Sequence, residues 1–271
     1  MKLHLEEKVV LITGAAGTIG SAVARAFAAE GAAVALLDTN ASGLDALAFD
    51  LHTIVKVRRC TVDLTQPEEA QTMIAEVLQP FAGRVDILVN CAGICPAFAP
   101  EYLLTTQALP VWQQLYDANF LSTLHAIVSV WPRMKEQGGG VILNTTSDLA
   151  REPVLEMLPY SIAKAALVHL TYGLAPFLGQ ANIRLVAVAP GPTRTAIWTQ
   201  KGGLIDFYAT QHDLPPEEAL VHEFQRRGMA IPRLIEPKEV AALMVYLASD
   251  HARAMTRTVV DLNGGSHHGQ C

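Results

Sequence analysis

Ser147, Tyr160 and Lys164 have the side-chain types and the spacing of a proton-transfer site. Tyr160 and Lys164 lie in the run Leu158-Pro159-Tyr160-Ser161-Ile162-Ala163-Lys164, and residues i and i+4 share one face of a helix. A free phenol has a pKa of about 10 and is a poor base at neutral pH. An ammonium one turn away favours the phenolate and lowers that value. Ser147 ends an apolar run upstream. A Tyr-x-x-x-Lys match is cheap, so its weight depends on the elements that would position it.

The first such element is at the N-terminus. Val9-Val10-Leu11-Ile12-Thr13 is a continuous apolar, β-branched run, which reads as a buried parallel strand. Gly14-Ala15-Ala16-Gly17-Thr18-Ile19-Gly20 follows at once, and then an Ala-rich helix stopped by Gly31. Strand, glycine turn and helix form a dinucleotide-phosphate geometry, in which glycines admit the pyrophosphate and the helix N-terminus attracts its charge. A second strand, Ala33 to Leu37, ends in Asp38. An acid there can accept hydrogen bonds from adenosine ribose hydroxyls and repels a 2′-phosphate, so NAD is expected over NADP.

With these residues in place the chain resembles the short-chain dehydrogenase/reductase family nearly end to end. The family's Thr-Gly-x-x-x-Gly-x-Gly appears as Thr13 to Gly20, and its Asn-Asn-Ala-Gly strand end as Asn90-Cys91-Ala92-Gly93. The resemblance implies that Asp63 and Leu64 contact adenine and that Asn119 holds a proton-relay water. It further implies that Ser147, Tyr160 and Lys164 are catalytic, with Lys164 also on the nicotinamide ribose. Pro190-Gly191-Pro192-Thr193-Arg194-Thr195 resembles the turn over the nicotinamide, and Asp261-Leu262-Asn263-Gly264-Gly265 the closing strand and turn. The implied cofactor site is therefore Gly14, Gly17, Thr18, Ile19, Gly20, Asp38, Asp63, Leu64, Asn90, Ala92, Gly93, Tyr160, Lys164, Pro190, Gly191, Thr193 and Thr195. The implied reaction interconverts a secondary alcohol and a ketone, with Tyr160 as general acid and base.

Three positions depart from the family pattern. Thr18 replaces the middle glycine, with a glycine moved to position 17. Cys91 replaces the second asparagine. Pro176 lies inside the helix that carries Tyr160 and Lys164, and a kink or early end is expected near Ala175.

The chain has 271 residues, 51% hydrophobic and 17% charged, with a net charge of -6. That length suits one large α/β domain over residues 1–271, and the charge argues against nucleic acid. No apolar run reads as a membrane span. The polar start, Met1 to Lys8, shows no signal peptide. Cys60, Cys91, Cys95 and Cys271 fit neither a zinc site nor a disulfide framework, so reduced thiols and a cytoplasmic location are expected. His267-His268 are adjacent on a tail, where a shared ion is rare, and no metal is expected.

Strands and helices alternate without a linker, which predicts a single doubly wound parallel sheet of about seven strands. Strands are expected at 54–62, 85–90, 141–146, 183–189 and 258–262, and one helix over 107–135. Ligands in such sheets bind beyond the carboxyl ends of the strands, where Gly14, Asp38, Asn90, Ser147 and Pro190 all fall. Residues 195–235 break the pattern and are long enough for two short helices. In the family this stretch is a lid. Leu149, Val154 and Trp198, with Ser147 and Tyr160, are the expected substrate contacts, and Arg151, Arg194 and His212 could bind a carboxylate. The helices at 160–178 and 120–130 are apolar on most faces, and the family pairs them in dimers and tetramers. An NAD-sensing regulatory protein need not keep the complete set Asn119, Ser147, Tyr160 and Lys164. A sugar-nucleotide epimerase or dehydratase usually carries a larger C-terminal domain.

Overall fold

The protein is described from a computed structural model over residues 2–266; His267, His268 and Cys271 lie outside the described residues. In chain order the elements begin β1 (Val9–Thr13), α1 (Thr18–Ala29), β2 (Ala33–Asp38), α2 (Ala41–Leu51), β3 (Val57–Thr61), α3 (Pro67–Leu78) and β4 (Ile87–Asn90). They continue with α4 (Pro100–Leu103), α5 (Leu109–Tyr116), α6 (Ser122–Glu136), β5 (Gly140–Thr145), α7 (Leu158–Gly179) and β6 (Ile183–Pro190). The last are α8 (Ala196–Thr199), α9 (Leu204–His212), α10 (Pro216–Arg226), α11 (Pro237–Ala248) and β7 (Thr258–Leu262).

The seven strands form one parallel sheet in the order β3-β2-β1-β4-β5-β6-β7. Both faces are covered, which explains why β1 reads as an unbroken apolar run rather than an alternating one. Val10 and Ile12 pack with Val23 and Phe27 of α1, Leu44 of α2 and Met244 of α11. Val9 and Leu11 point the other way, toward Ile74 of α3, Ile127 of α6 and Leu178 of α7. Phe27 is fully buried, a burial that contributes roughly 2–3 kcal/mol. The strand order reverses at the β1–β4 boundary, and the crevice beyond it is the binding position of such sheets.

Three expectations need correction. First, α7 runs through Pro176 to Gly179 rather than ending near Ala175. A proline supplies no N–H for the carbonyl four residues back, here Tyr172, and the Arg257 Nε donates to that carbonyl at 3.2 Å instead. Second, the helix expected over 107–135 is interrupted by a π-helical turn, Asp117–Leu121, between α5 and α6. Third, Leu155–Gly179 is long and apolar enough, with a mean hydropathy of 1.2, to pass as a membrane span by length and composition. In the fold it is a layer helix instead, with Leu167, Ala175 and Leu178 buried.

Candidate active site

The glycine turn shows which positions need glycine. Gly14 has φ +63°, and a Cβ there would lie 2.6 Å from the Ala92 amide nitrogen, so only glycine fits without strain. A Cβ on Gly20 would lie 2.1 Å from the Gly14 carbonyl oxygen. Gly17 makes no such demand: it is the N-cap of α1 with extended backbone. Thr18 is the first residue of α1, where a side chain points out, and it is exposed. The shifted glycine therefore leaves the turn intact.

Beside the turn is a hollow lined by Gly14, Gly17, Asp38, Asp63, Leu64, Ala92 and Gly93, with no Lys or Arg in its wall. Asp38 accepts from the amides of Ala16 and Asn40, both at 2.9 Å. Asp63 accepts from the Thr65 amide and hydroxyl. Asn90 lies beneath this hollow rather than in its wall. Its Nδ2 donates to Asn144 Oδ1 at 2.9 Å, and its Oδ1 faces the Thr13 hydroxyl at 3.5 Å. It thus joins β1, β4 and β5 under the crevice. Cys91 lines the hollow, and burial pushes its thiol up to about 11.

The four proton-handling candidates converge from three elements. Ser147 follows β5, Tyr160 and Lys164 lie in the first two turns of α7, and Asn119 sits in the π-turn. A π-turn widens a helix by one residue and is frequent at functional sites. Here the Asn119 Nδ2 bridges the carbonyls of Ile94 and Leu115, each at 2.9 Å. Its Oδ1 is buried without a partner among the described residues and borders Gly93 on the side of Lys164, since a Cβ on Gly93 would be 2.4 Å from that oxygen and 3.3 Å from the Lys164 Nζ. An enclosed acceptor of this kind suits a bound water or ligand donor.

Lys164 is buried, and its Nζ donates to the Thr145 carbonyl at 2.9 Å. Desolvation lowers it to about 8. Its ammonium lies 5.6 Å from the centre of the Tyr160 ring. The Tyr160 phenol is nonetheless held well above the usual tyrosine value. Burial is the largest cause, reinforced by Cys95 and Asp148 and opposed by Ser147 and Arg227. Lys164 is not among the groups that lower the phenol, and burial outweighs those that do.

A second crevice joins this group. It is lined by Ile19, Ser147, Leu149, Tyr160, Pro190, Gly191, Thr193, Thr195 and Trp198. Val154 is not in its wall and packs instead against a separate apolar cluster, where Tyr208 and Phe224 are buried. The segment expected as a lid forms α8, α9 and α10, one helix more than expected. Arg151 is taken up by Asp261 at 2.5 Å and Arg194 by Glu236 at 2.8 Å. His212 stacks on Tyr208 within α9. Two residues not anticipated from the sequence take their place. Asp148 and Arg227 both line the crevice and are paired at 3.3 Å. Asp148 was open to suspicion as the neighbour of Ser147. Arg227 stands far away in the chain beside Arg226, with no local signal to distinguish the two.

A parallel sheet with a glycine turn at its switch point, and Ser, Tyr, Lys and Asn gathered at its carboxyl edge, is the arrangement of a nucleotide-dependent oxidoreductase. Residues 8–203 match the family model described as short chain dehydrogenase, and the chain belongs to that family. An uncharacterized oxidoreductase of Bacillus subtilis strain 168 is 31% identical over 268 residues, 98% of each chain. The fold matches L-sorbose reductase from Gluconobacter frateurii, solved with NADPH and L-sorbose, with a TM-score of 0.90, 27% identity and full coverage of both chains. It also matches a 7α-hydroxysteroid dehydrogenase solved with NADH and 7-oxo glycochenodeoxycholic acid, with a TM-score of 0.82 and 30% identity over 97% of this chain and 96% of that one.

Proposed function

We propose that this protein is an NAD(H)-dependent oxidoreductase that interconverts a secondary alcohol and a ketone. The observation that carries the cofactor choice is Asp38, at the edge of a hollow that holds two carboxylates and no cation. The two solved relatives carry different cofactors, so the choice rests on this chain's own residues. Gly14 and Gly20 would cradle the pyrophosphate, Asp38 the adenosine ribose, Asp63 and Leu64 the adenine. Ala92, Gly93, Ile19 and the Pro190–Thr195 turn would hold the nicotinamide half. When bound, the nicotinamide supplies the hydride acceptor or donor.

In this reading Tyr160 transfers the hydroxyl proton. The Ser147 hydroxyl turns from Asp148 toward the substrate oxygen and stabilises charge there. Lys164, anchored on the Thr145 carbonyl, holds a proton near Tyr160, and the free Asn119 Oδ1 accepts from the water that relays it. Burial favours the neutral phenol of Tyr160, which supports its role as the acid in ketone reduction. The complete set Asn119, Ser147, Tyr160 and Lys164 argues against an NAD-sensing protein, and the match of residues 8–203 to the short chain dehydrogenase model argues against a sugar-nucleotide epimerase.

The rest of the reading concerns the chain as a whole. Residues 1–271 act as one domain with a lid at about 195–235, in the cytoplasm, on a small-molecule substrate. Ile162, Tyr172 and Phe177 of α7 and Val128 of α6 are exposed apolar residues, which supports pairing of these helices in a homodimer or homotetramer. Titration with NADH and NADPH, followed by a panel of alcohols with NAD, tests the proposal. Turnover of none of them, or tighter binding of NADPH, would contradict it.

A further inference from the structure

The geometry points to Arg227 as a specificity-determining residue that donates a hydrogen bond to a second, uncharged oxygen of the substrate. The alcohol handled at Tyr160 then belongs to the diol or hydroxy-ketone class rather than to the hydroxy acids. This inference rests on the alcohol–ketone reading above.

Arg227 follows α10 and is only 7% exposed at its side chain. Its Nε donates to Glu223 Oε1 at 2.5 Å and its Nη1 to Asp148 Oδ2 at 3.3 Å. Its guanidinium carbon lies 5.8 Å from the Trp198 ring centre. Nη2 is buried and has no partner among the described residues. Protein groups seldom leave an enclosed charged donor unpaired, and Arg227 forms part of the wall of the same crevice as Ser147 and Tyr160. A ligand oxygen is the acceptor that this arrangement lacks.

Asp148 does not play that part, since its oxygens accept from four other donors and Nη2 is not among them. Oδ1 accepts from the Ser147 hydroxyl at 3.1 Å and the Leu149 amide at 2.8 Å. Oδ2 accepts from Arg227 and, at 2.8 Å, from the Ser266 hydroxyl. Asp148 instead sets the spacing. One of its oxygens accepts from Ser147 before that hydroxyl turns to the substrate and the other accepts from Arg227, so an oxygen bound at Arg227 falls close to the carbon whose oxygen Ser147 contacts. Leu149, Met157, Trp198 and Leu204 make the neighbouring wall apolar, which leaves Arg227 as the cation there.

The charge balance selects an uncharged oxygen. Glu223 is fully buried and Asp148 nearly so. Against these two carboxylates stand Arg227 and Arg226, the latter 36% exposed and bound to both oxygens of Glu223. A substrate carboxylate would be a third anion beside two cations that are already matched, and a desolvated unmatched charge is disfavoured. A hydroxyl or carbonyl oxygen satisfies Nη2 without adding charge.

The test uses the NADH complex, in which an alcohol cannot react, and reads binding by the change in NADH fluorescence. The probes are 2-butanol, 1,3-butanediol, 2,3-butanediol and 3-hydroxybutyrate, which share one secondary alcohol and differ in the second oxygen. At least one diol is expected to bind about tenfold or more tighter than 2-butanol, since a site built to hydrogen-bond an oxygen rejects the analogue lacking it. The hydroxy acid is expected to bind no better than 2-butanol. Arg227→Lys should remove the diol preference while leaving NADH affinity within about twofold, because Arg227 bonds to Glu223 and Asp148 and to none of the residues assigned to the cofactor. Equal binding of diols and 2-butanol, tightest binding of 3-hydroxybutyrate, or a preference that survives in Arg227→Lys each overturns the inference. If that variant fails to fold, the unmodified protein's ranking of the four probes still decides. Failure to bind NADH overturns both readings, whereas bound NADH with no diol preference overturns this inference alone.

Discussion

The Oδ2 of Asp38 accepts the Ala16 amide at 2.9 Å, so one carboxylate both braces the glycine turn and faces the adenosine hollow. NAD(H) should therefore be used at least about tenfold better than NADP(H), because a 2′-phosphate beside this carboxylate should cost over ~1.4 kcal/mol. Asp38→Ala should narrow that gap and also weaken NADH binding, since the turn loses its brace. Steady-state kinetics with both cofactors checks this, and equal use of the two by the unmodified protein would refute it.

Gly20→Ala tests the turn itself. A Cβ there would sit 2.1 Å from the Gly14 carbonyl oxygen, so the backbone that would meet the pyrophosphate must move. NADH affinity should fall by about tenfold or more, the cost of a displaced close contact. Thr18→Gly, at an exposed helix start, should change it little. The two variants are to be compared by NADH fluorescence titration.

Removing the phenolic oxygen keeps the ring and its packing. Tyr160→Phe should reduce turnover by roughly 10²–10⁴ through loss of acid–base catalysis and leave NADH affinity within a few-fold. Ser147→Ala should reduce turnover with little change in NADH affinity, and Lys164→Met should damage both. Near-normal turnover by Tyr160→Phe would place the proton on another group.

Burial also makes stability depend on pH. Lys164 falls from 10.5 to about 8, while Cys91 and Cys95 rise from 9.0 to about 11 and about 12. Between the two lysine values the unfolded chain holds a proton that the folded chain has released, so this group makes stability rise with pH. Above the ordinary thiol value the unfolded cysteines ionise while the folded ones stay protonated, and their contribution reverses the trend. Urea unfolding at stepped pH should show a maximum close to pH ~9. Lys164→Met should lose the rising limb, and a steady fall from neutral pH in the unmodified protein would contradict the assignment.

The exposed apolar side chains of α6 and α7 predict association. Sedimentation at micromolar concentration should give a dimer or tetramer, and Phe177→Lys, on a side chain that is 51% exposed, should shift it toward monomer without unfolding the chain. A monomeric unmodified protein would count against the pairing.

Much of this molecule was legible in its residues because the signals are local. Val9 to Thr13 followed by Gly14 and Gly20 defines a strand and a turn through backbone sterics alone. Tyr160 and Lys164 share a helix face because of the helical repeat, and the alternation of apolar strands and helices leaves a doubly wound parallel sheet as the consistent architecture. Helix continuity was less legible. Pro176 reads as a break until Arg257 is brought to the orphaned Tyr172 carbonyl, and the π-turn at Asn119 is held by Ile94, which is remote in the chain. The electrostatics of the site were not legible at all. Four residues of spacing suggest that Lys164 lowers Tyr160, but burial raises the phenol instead. Arg151 and Arg194 look as available as Arg227 until folding pairs the first two at the surface and encloses the third between Asp148 and Glu223. Backbone geometry and apolar pattern are properties of short segments, and the sequence alone determined them. Desolvation and charge pairing depend on which distant segments exclude water together, and only the tertiary structure decided those.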